Sequence, residues 1–389
     1  MEAPSPYRVA FLDWLACAAR GSEEPAALAA RAAGDGLLER VTWAGTAGHV
    51  LDYDDTWSPG LVHASAAVAP VALLVGAGLD RDLGAVLDAY AHGFEATATL
   101  ARAGHPALYE QGWHPTAVCG SAGAAVAAAH LHGLPAEQAD VAVALALLRA
   151  GGLRAAFGSD GKALQVGLAA ATGLHAALLA RHGARVPLAD VRSAAAGFEQ
   201  VFGVPWPAGG DARAIAENWI KAYPCCLATH STIEAALALR AQGPVPDEAT
   251  VHLHPVARAA AARSDPADGL EAKFAPAYLA AFALLHGAPG VSDFTGVDAG
   301  ARDVARRITV RTDPALGEMA ARVEAADGRA AQVDWPLGSP RRPMDEAQLL
   351  RKVRDLAGDR LDGVLDDMGT PATRVVAAAG LGRTAATAG

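Results

Sequence analysis

One short polar stretch holds many of the side chains that could do chemistry. Leu51 to Pro70 reads LDYDDTWSPGLVHASAAVAP. Within a dozen residues it contains carboxylates, a hydroxyl and an imidazole, namely Asp52, Asp54, Asp55, Thr56 and His63. Aspartate is a poor residue inside helices and a good N-cap. The stretch therefore predicts a helix that ends near Tyr53, a polar loop, and a buried helix that begins near Ser65.

Two other interpretations of this stretch stay open. The loop could simply cap two helices, or its carboxylates and His63 could bind a hard cation. The cation interpretation is the weaker one, because no D-x-D-x-D-G pattern with a distal glutamate follows. His49 lies three positions before Asp52, so a continuing helix would place both on one face.

A second imidazole, His114, lies in Gly112-Trp113-His114-Pro115-Thr116, just before an apolar helix. Proline suits the first helical turn, so His114 is either a functional residue at a helix start or a cap. Cys119 and the pair Cys225–Cys226 lie among small apolar residues, where thiols are more often inert than nucleophilic.

The chain uses lysine much more rarely than arginine. The chain has four lysines among 32 basic residues. Lys162 begins a helix, where backbone N–H groups already favour an anion. Lys221 precedes Tyr223-Pro224-Cys225-Cys226, and Lys273 lies near Tyr278. A lysine kept where arginine is otherwise preferred suggests a need for a compact ammonium, but Lys352, in a charged run, is expected on the solvated surface.

Composition narrows the class of protein. The chain has 389 residues, 52% hydrophobic and 19% charged, which is typical of a globular protein large enough for two domains. A net charge of −10 argues against nucleic acid as a partner. The N-terminus lacks the pattern of a signal peptide and the apolar runs are short for a bilayer, so we expect no membrane partner and a cytoplasmic location with reduced thiols.

The periodicity changes along the chain. The first 220 residues predict helices without strands, including 83–103, 136–153 and 162–182. Beyond them, short β-branched runs at 249–253, 308–312, 321–324 and 331–334 predict strands, with helices at 232–241 and 276–287 between them. Asp345 to Met368 again predicts a helix. We therefore expect a mainly α fold, with a large helical domain at 1–220 completed by 340–389 and a smaller α+β domain at 221–339.

An ordered set of motifs resembles the MmgE/PrpD family, which includes 2-methylcitrate dehydratase, cis-aconitate decarboxylase and epimerases of imino-dicarboxylates. These motifs are His49-x-x-Asp52-x-Asp54-Asp55-Thr56, His63-x-Ser65, Gly93-Phe94-Glu95, Gly112-Trp113-His114-Pro115-Thr116, Gly133-Leu134, Lys162-x-x-x-x-Gly167, Gly197-Phe198, Lys221-x-Tyr223-Pro224-Cys225-Cys226, His230, Lys273-Phe274 and Tyr278. Ala64 departs from the family's usual proline, and Cys226 stands where the decarboxylase branch has histidine.

The resemblance implies a fold and an activity. The fold would be a helical domain with an α+β lid. Apart from the resemblance, helices this rich in Ala and Leu, with few aromatics, are expected to leave apolar surface beyond one core, which predicts a homodimer built through the helical domain. The activity would be proton transfer at a carbon α to a carboxylate, without metal or organic cofactor. The leading hypothesis is a lyase, a dehydratase or decarboxylase, acting on a small di- or tricarboxylate. An epimerase or isomerase, for example of iminodisuccinate, is the second hypothesis, and a catalytically inactive helical binding protein is the third.

The resemblance also implies roles for individual residues. His63 and His114 would be the acid/base pair, and Asp52 would orient an imidazole or a lysine. Lys162 and Lys221 would hold substrate carboxylates. Further expected site residues are Thr56, Tyr278, Cys226 and Lys273.

Overall fold

The computed structural model describes residues 5–205 and 213–382 of the chain. The helices in the N-terminal part are α1 (Pro6–Gly21), α2 (Pro25–Ala32), α3 (Leu37–His49), α4 (Ala64–Gly78), α5 (Leu83–Gly104), α6 (Ala107–Glu110), α7 (Pro115–Leu131), α8 (Ala136–Leu147), α9 (Asp160–Arg181), α10 (Leu188–Ser193) and α11 (Phe198–Phe202). Those that follow are α12 (His230–Arg240), α13 (Pro255–Ala260), α14 (Gly269–Ala272), α15 (Pro276–His286), α16 (Ala299–Ala305), α17 (Glu346–Ala357) and α18 (Ala372–Ala378).

The strands are β1 (Thr56–Trp57), β2 (Asn218–Trp219), β3 (Ala249–Leu253), β4 (Ile308–Thr312), β5 (Ala321–Ala325) and β6 (Ala330–Val333). β1 and β2 form a short antiparallel pair. The other four form a sheet in the order β4-β3-β5-β6, in which β3 and β4 are parallel and the remaining neighbours are antiparallel. Alternate side chains of β3 and β5 are buried, which is typical of a sheet with one face on a core.

The buried hydrophobic side chains form two clusters. One includes residues from α1 to α9, α11 and, from the C-terminal part, α17 and α18. The other runs from Trp219 to Ala325 and surrounds the four-stranded sheet. The fold is thus mainly helical, with a small sheet in the C-terminal part, and the exact domain boundaries stay a prediction.

Small residues let the central helices approach one another closely. A Cβ on Gly167 of α9 would lie 2.2 Å from the carbonyl oxygen of Thr42 in α3, so only glycine allows this backbone contact. α9 is long and apolar enough to cross a membrane, but 61% of its most apolar window is buried within the protein. It packs against α3, α7 and α8, and so serves as a central helix of the fold.

Most predicted elements are confirmed, with three corrections. α8 ends at Leu147 rather than at Leu153, because the chain turns through Gly151 and Gly152. The helix predicted over 345–368 ends at Ala357, where Gly358 takes a positive φ of 63°. The strandless interpretation of the first 220 residues was wrong at β1 and β2, since two residues are too few to show alternation.

Candidate active site

The loop after α3 places Asp52 between two buried lysines. Asp52 has a φ of 52°, in the left-handed region that aspartate tolerates better than most residues. Its Oδ1 accepts hydrogen bonds from Nζ of Lys162 at 2.8 Å and from Nζ of Lys221 at 2.7 Å. Lys221 also donates to the backbone oxygen of Asp52 at 2.9 Å. One carboxylate is therefore shared by two ammonium groups, which leaves an excess of positive charge.

The fold brings the two lysines to Asp52 from different directions. Lys162 lies in the first turn of α9, and the backbone contact at Gly167 holds this helix against α3. Lys221 follows β2, whose pairing with β1 places it beside the loop. A Cβ on Gly338 would lie 1.7 Å from the carbonyl oxygen of Ile220, so the segment after β2 is also held at van der Waals contact.

Three helices begin around the same cavity. His63 is the N-cap residue of α4, His114 is the N-cap residue of α7, and Lys162 lies at the start of α9. The backbone N–H of His63 donates to Oγ1 of Thr116 at 3.1 Å, which ties the first two helix starts together. Helix N-termini carry partial positive charge, so their convergence favours a bound anion.

The neighbours of His63 fix the proton on Nδ1. This nitrogen lies 3.2 Å from Oδ2 of Asp54 and 3.1 Å from the backbone oxygen of Asp55, and both of these oxygens accept hydrogen bonds. Nδ1 therefore carries the proton, and Nε2 keeps its lone pair in the neutral ring. Nε2 of His63 lies 3.9 Å from Oδ1 of Asp52, which is beyond hydrogen-bond distance. The side chain of His63 lines the cavity.

The neighbours of His114 fix the opposite tautomer. Gln165 is oriented by the backbone of Leu153, because its Oε1 accepts from the N–H at 2.9 Å and its Nε2 donates to the carbonyl oxygen at 3.3 Å. The same Nε2 lies 2.6 Å from Nδ1 of His114 and donates to it. Nδ1 of His114 is thus an acceptor, and the proton of the neutral ring is on Nε2.

Burial and charge set the protonation states at the centre of the site. Burial alone would raise the pKa of Asp52, but the ammonium groups of Lys162 and Lys221 hold that pKa well below its usual range. Burial would lower the pKa of Lys221, yet the carboxylates of Asp52 and Asp54 raise it. Asp52 and Lys221 are therefore both charged near neutral pH.

Both histidines that line the cavity are neutral at that pH. Burial lowers the pKa of His63 to about 3, although the Asp54 carboxylate opposes the shift. Burial, with the nearby His49 and Lys162, holds the pKa of His114 well below its usual value. A neutral His63 offers a lone pair, and a neutral His114 offers an N–H.

The cavity encloses about 510 Å³, including its open mouth, and lies where the two hydrophobic clusters meet. Seven of the nine expected site residues line it, namely Asp52, Thr56, His63, His114, Lys162, Lys221 and Cys226. Lys273 lines a smaller adjoining cleft that shares Asp52 and Lys162, and burial lowers its pKa to about 8.

The structure does not bring Tyr278 to this cavity. Its ring is buried in α15, and its hydroxyl accepts a hydrogen bond from the backbone N–H of Asp298 at 3.0 Å. Tyr278 therefore satisfies its polar atom within the sheet-bearing region instead of facing the two histidines.

Two cavity neighbours were missed by the sequence analysis. Tyr109 lines the cavity from α6, and the guanidinium of Arg154 lies 3.6 Å from the centroid of its ring. Burial raises the pKa of Tyr109 to about 12, so it is a neutral donor. Gln165 was hidden in an apolar stretch of α9. The sequence signal that could have revealed Gln165 is its position three residues after Lys162, which places both side chains on neighbouring turns at the start of α9.

Two further expectations are corrected. The predicted helical pairing of His49 with Asp52 was wrong, because α3 ends at His49 and Nδ1 of His49 contacts Asp54 at 2.9 Å. Lys352 is buried rather than solvated: its Nζ lies 2.6 Å from Asp13 and donates to the backbone oxygens of Tyr53 and Lys221. The amphipathic helix α17 turns Lys352 inward, so this lysine holds the loop that carries Asp52.

A buried group near the cavity has the donor set for a metal ion. His49, Asp54 and His63 each offer one ligand atom, and these atoms lie within 4.8 Å of one another. In the structure, however, Asp54 accepts from Nδ1 of both imidazoles, which holds the pKa of Asp54 well below its usual range against the effect of burial. An ion bound at these nitrogens would have to displace both protons.

Comparisons with known proteins identify the family of the chain. The MmgE/PrpD N-terminal domain matches residues 41–207, and the MmgE/PrpD C-terminal domain matches residues 223–370. The chain belongs to the MmgE/PrpD family.

The curated relatives include several cis-aconitate decarboxylases. That of Aspergillus terreus is 26% identical over 362 residues, which cover 80% of this chain and 72% of that protein. That of Homo sapiens is 32% identical over 212 residues, 50% of this chain and 43% of that protein. That of Mus musculus is 30% identical over 223 residues, which cover 53% of this chain and 44% of that protein. The aligned part is thus less than half of each mammalian protein.

Proposed function

We propose that this chain is a lyase of the dehydratase or decarboxylase type that acts on a small di- or tricarboxylate without metal or organic cofactor. The observation that carries the proposal is the pair of neutral histidines with opposite tautomers beside the Lys162–Asp52–Lys221 triad. Membership of the MmgE/PrpD family and the cis-aconitate decarboxylase relatives support the reaction class.

Substrate carboxylates would bind at the lysines. Each ammonium has three N–H donors. Lys221 gives two of them to Asp52 and Lys162 gives one, so both can still donate to a ligand. The helix starts at His63 and His114 add partial positive charge. Tyr109 supplies a neutral hydroxyl donor on the cavity wall.

His63 is the group that moves the proton. In an elimination, its Nε2 takes the proton from the carbon α to a carboxylate, and the C–H electron pair forms an enediolate. The carbon–oxygen bond then breaks, and hydroxide leaves as water with the proton from His63. Asp54 stabilises the imidazolium that exists between these steps, since its carboxylate accepts from Nδ1.

In a decarboxylation, the His63 side chain donates a proton to carbon instead of removing one. The anionic substrate raises the pKa of His63, which takes up a proton from solvent. The carbon–carbon bond breaks, CO2 leaves, and the electron pair stays on the remaining carboxylate-conjugated fragment. The imidazolium of His63 then donates its proton to carbon.

His114 stabilises charge rather than transferring a proton. A neutral imidazole is a very weak acid, so its Nε2–H donates a hydrogen bond to the oxygen of the enediolate. Such a donor, held in place before the reaction, is worth about 100-fold to 1,000-fold in rate. Gln165 maintains this tautomer. Because His114 then lacks a free lone pair, it cannot serve as the second base of an epimerase.

The region with the four-stranded sheet would act as a lid. Cys226, Phe274 and Met319 line the cavity from that region, while the histidines come from the helical part. Movement of one part relative to the other would open the cavity, and closure would exclude water from the reaction.

The proposal is tested by incubating the purified protein, with EDTA present, with cis-aconitate, 2-methylcitrate and iminodisuccinate in deuterated water. NMR and mass spectrometry then follow each compound. Elimination or CO2 release supports the lyase, and it should be lost in His63→Asn but kept in the exposed control His182→Asn. Deuterium exchange without net loss would indicate an epimerase. No change in any compound would favour a binding protein.

We also propose a homodimer built through α9. Leu168 and Leu179 on this helix are 57% and 43% exposed, and Leu148 and Leu153 nearby are 60% and 54% exposed. A group of large exposed apolar side chains on one face is typical of a protein–protein interface.

A further inference from the structure

An exposed cluster of ligand-type side chains lies on α5 and α7, and none of its members lines the active-site cavity. Asp88 and His92 are one turn apart on α5, and His130 is in the last turn of α7. Nε2 of His130 lies 2.7 Å from Oδ2 of Asp88. Nε2 of His92 lies 3.9 Å from Oδ1 of Asp88, and the two imidazole centroids are 4.4 Å apart.

The three side chains fit the requirements of a divalent transition-metal ion. Each offers one ligand atom, and these atoms lie within 4.8 Å of one another. Zinc–nitrogen bonds are about 2.0–2.1 Å long, so ligands around a tetrahedral ion are about 3.3 Å apart. Because the side chains of His92 and Asp88 are 56% and 63% exposed, modest rotations can close the remaining gap.

An ordinary surface ion pair explains only part of the arrangement. Ion pairs account for the contacts that His130 and His92 each make with Asp88, but not for the close approach of the two imidazole rings to each other. Two adjacent imidazoles repel each other when protonated, whereas a shared metal ion uses the lone pairs of both.

The backbone beneath the cluster is held firmly in place. Gly93, which follows His92, faces Gly123 of α7, and a Cβ on Gly93 would lie 2.6 Å from the carbonyl oxygen of Gly123. In turn, a Cβ on Gly123 would lie 2.5 Å from the carbonyl oxygen of Gly93. Since the two helices are in backbone contact there, the ligand positions are largely set before an ion binds.

We propose that Asp88, His92 and His130 form a surface site for Zn²⁺ or a similar divalent transition-metal ion. With three protein ligands, the ion keeps at least one open position for water or for a ligand from another molecule. The bound ion joins α5 to α7, so it stabilises the folded protein. It takes no part in the reaction proposed above, and its binding does not depend on that reaction.

The test is isothermal titration of the metal-free full chain with zinc chloride. We expect one saturable Zn²⁺ per chain and a higher melting temperature when it is bound. His92→Ala and His130→Ala should each weaken binding by at least about 10-fold, and His182→Ala, on the exposed end of α9, should not. Because all of the substituted side chains lie at the surface, the variants should remain folded.

Variants of the buried histidines separate the two candidate metal groups. If Zn²⁺ binds unchanged in His92→Ala and His130→Ala but is lost in His63→Ala, the ion occupies the buried group and the proposal is wrong. Absence of saturable binding to the wild type would also overturn it. Turnover of any substrate has no bearing on either outcome.

Discussion

Replacing Asp52 by asparagine keeps the shape of the side chain but removes the carboxylate charge between Lys162 and Lys221. The Oδ1 of Asp52 lies 2.8 and 2.7 Å from the two ammonium nitrogens, and all three residues are buried. Removal of one partner from a buried ion pair costs about 3–5 kcal/mol, because the remaining charge is left without a counterion. Asp52→Asn should therefore lower the free energy of unfolding by that amount.

The expected change in melting temperature follows from chain length. The entropy of unfolding is about 2.1 cal/mol/K per residue, so 389 residues that unfold together give about 0.8 kcal/mol/K. A loss of 3–5 kcal/mol then corresponds to a melting temperature about 4–6 °C lower. Differential scanning calorimetry at neutral pH measures it directly.

A matched control and a double variant make this test specific. Asp303→Asn removes the carboxylate of an exposed pair with Arg306, and it should shift the melting temperature by about 1 °C or less. In Asp52→Asn, the further change Lys162→Met removes one unpaired ammonium and should restore part of the lost stability. A buried ion pair of this strength is excluded if Asp52→Asn melts like Asp303→Asn. It is also excluded if Lys162→Met destabilises the Asp52→Asn protein as much as it destabilises the wild type.

Three other predictions follow from the site and the surface. In Gln165→Glu, the carboxylate should accept a hydrogen bond from a protonated Nδ1 of His114 and so reverse the tautomer, with turnover about 100-fold lower; nitrogen-15 NMR of the imidazole would contradict this if Nε2 stayed protonated. Leu168→Glu should give a monomer by light scattering at micromolar concentration, whereas Leu28→Glu on α2 should stay dimeric; a wild-type monomer refutes the interface. The pKa of His63 is about 3 in the folded state and about 6.5 unfolded, so the unfolded state binds more protons between these values. Stability should then fall as pH drops from 7 to 5, by up to about 1.4 kcal/mol per unit, and a urea midpoint that does not change over this range would show that the pKa of His63 is the same in the folded and unfolded states.

Much of the candidate site could be predicted because its residues lie at helix starts. His63, His114 and Lys162 each precede or open a long apolar helix, and proline, glycine and aspartate mark those boundaries in sequence. The pairing of the two lysines through Asp52 could not be predicted. It depends on a positive φ at Asp52 and on the contact between β1 and β2, and neither leaves a periodic pattern.

The residues that the sequence did not reveal, or placed wrongly, can also be explained in physical terms. Tyr109 lies in a four-residue helix without a motif around it, so only the tertiary fold shows that it lines the cavity. Lys352 lies in a charged run that resembles a solvated face, yet α17 buries one side of that run together with Val353 and Leu356. Tyr278 matches the family's motif, but a matching position does not determine where a hydroxyl points.

The most direct test of the central claim is the rate at which solvent deuterium enters the substrate or product carbon. It should be measured for the wild type, for His63→Asn and for the exposed control His182→Asn, on whichever carboxylate the wild type converts. If His63 carries the proton, His63→Asn should slow incorporation by about 100-fold or more, while its fold and substrate affinity stay close to those of the control. Incorporation at the wild-type rate in a folded His63→Asn protein would contradict the account.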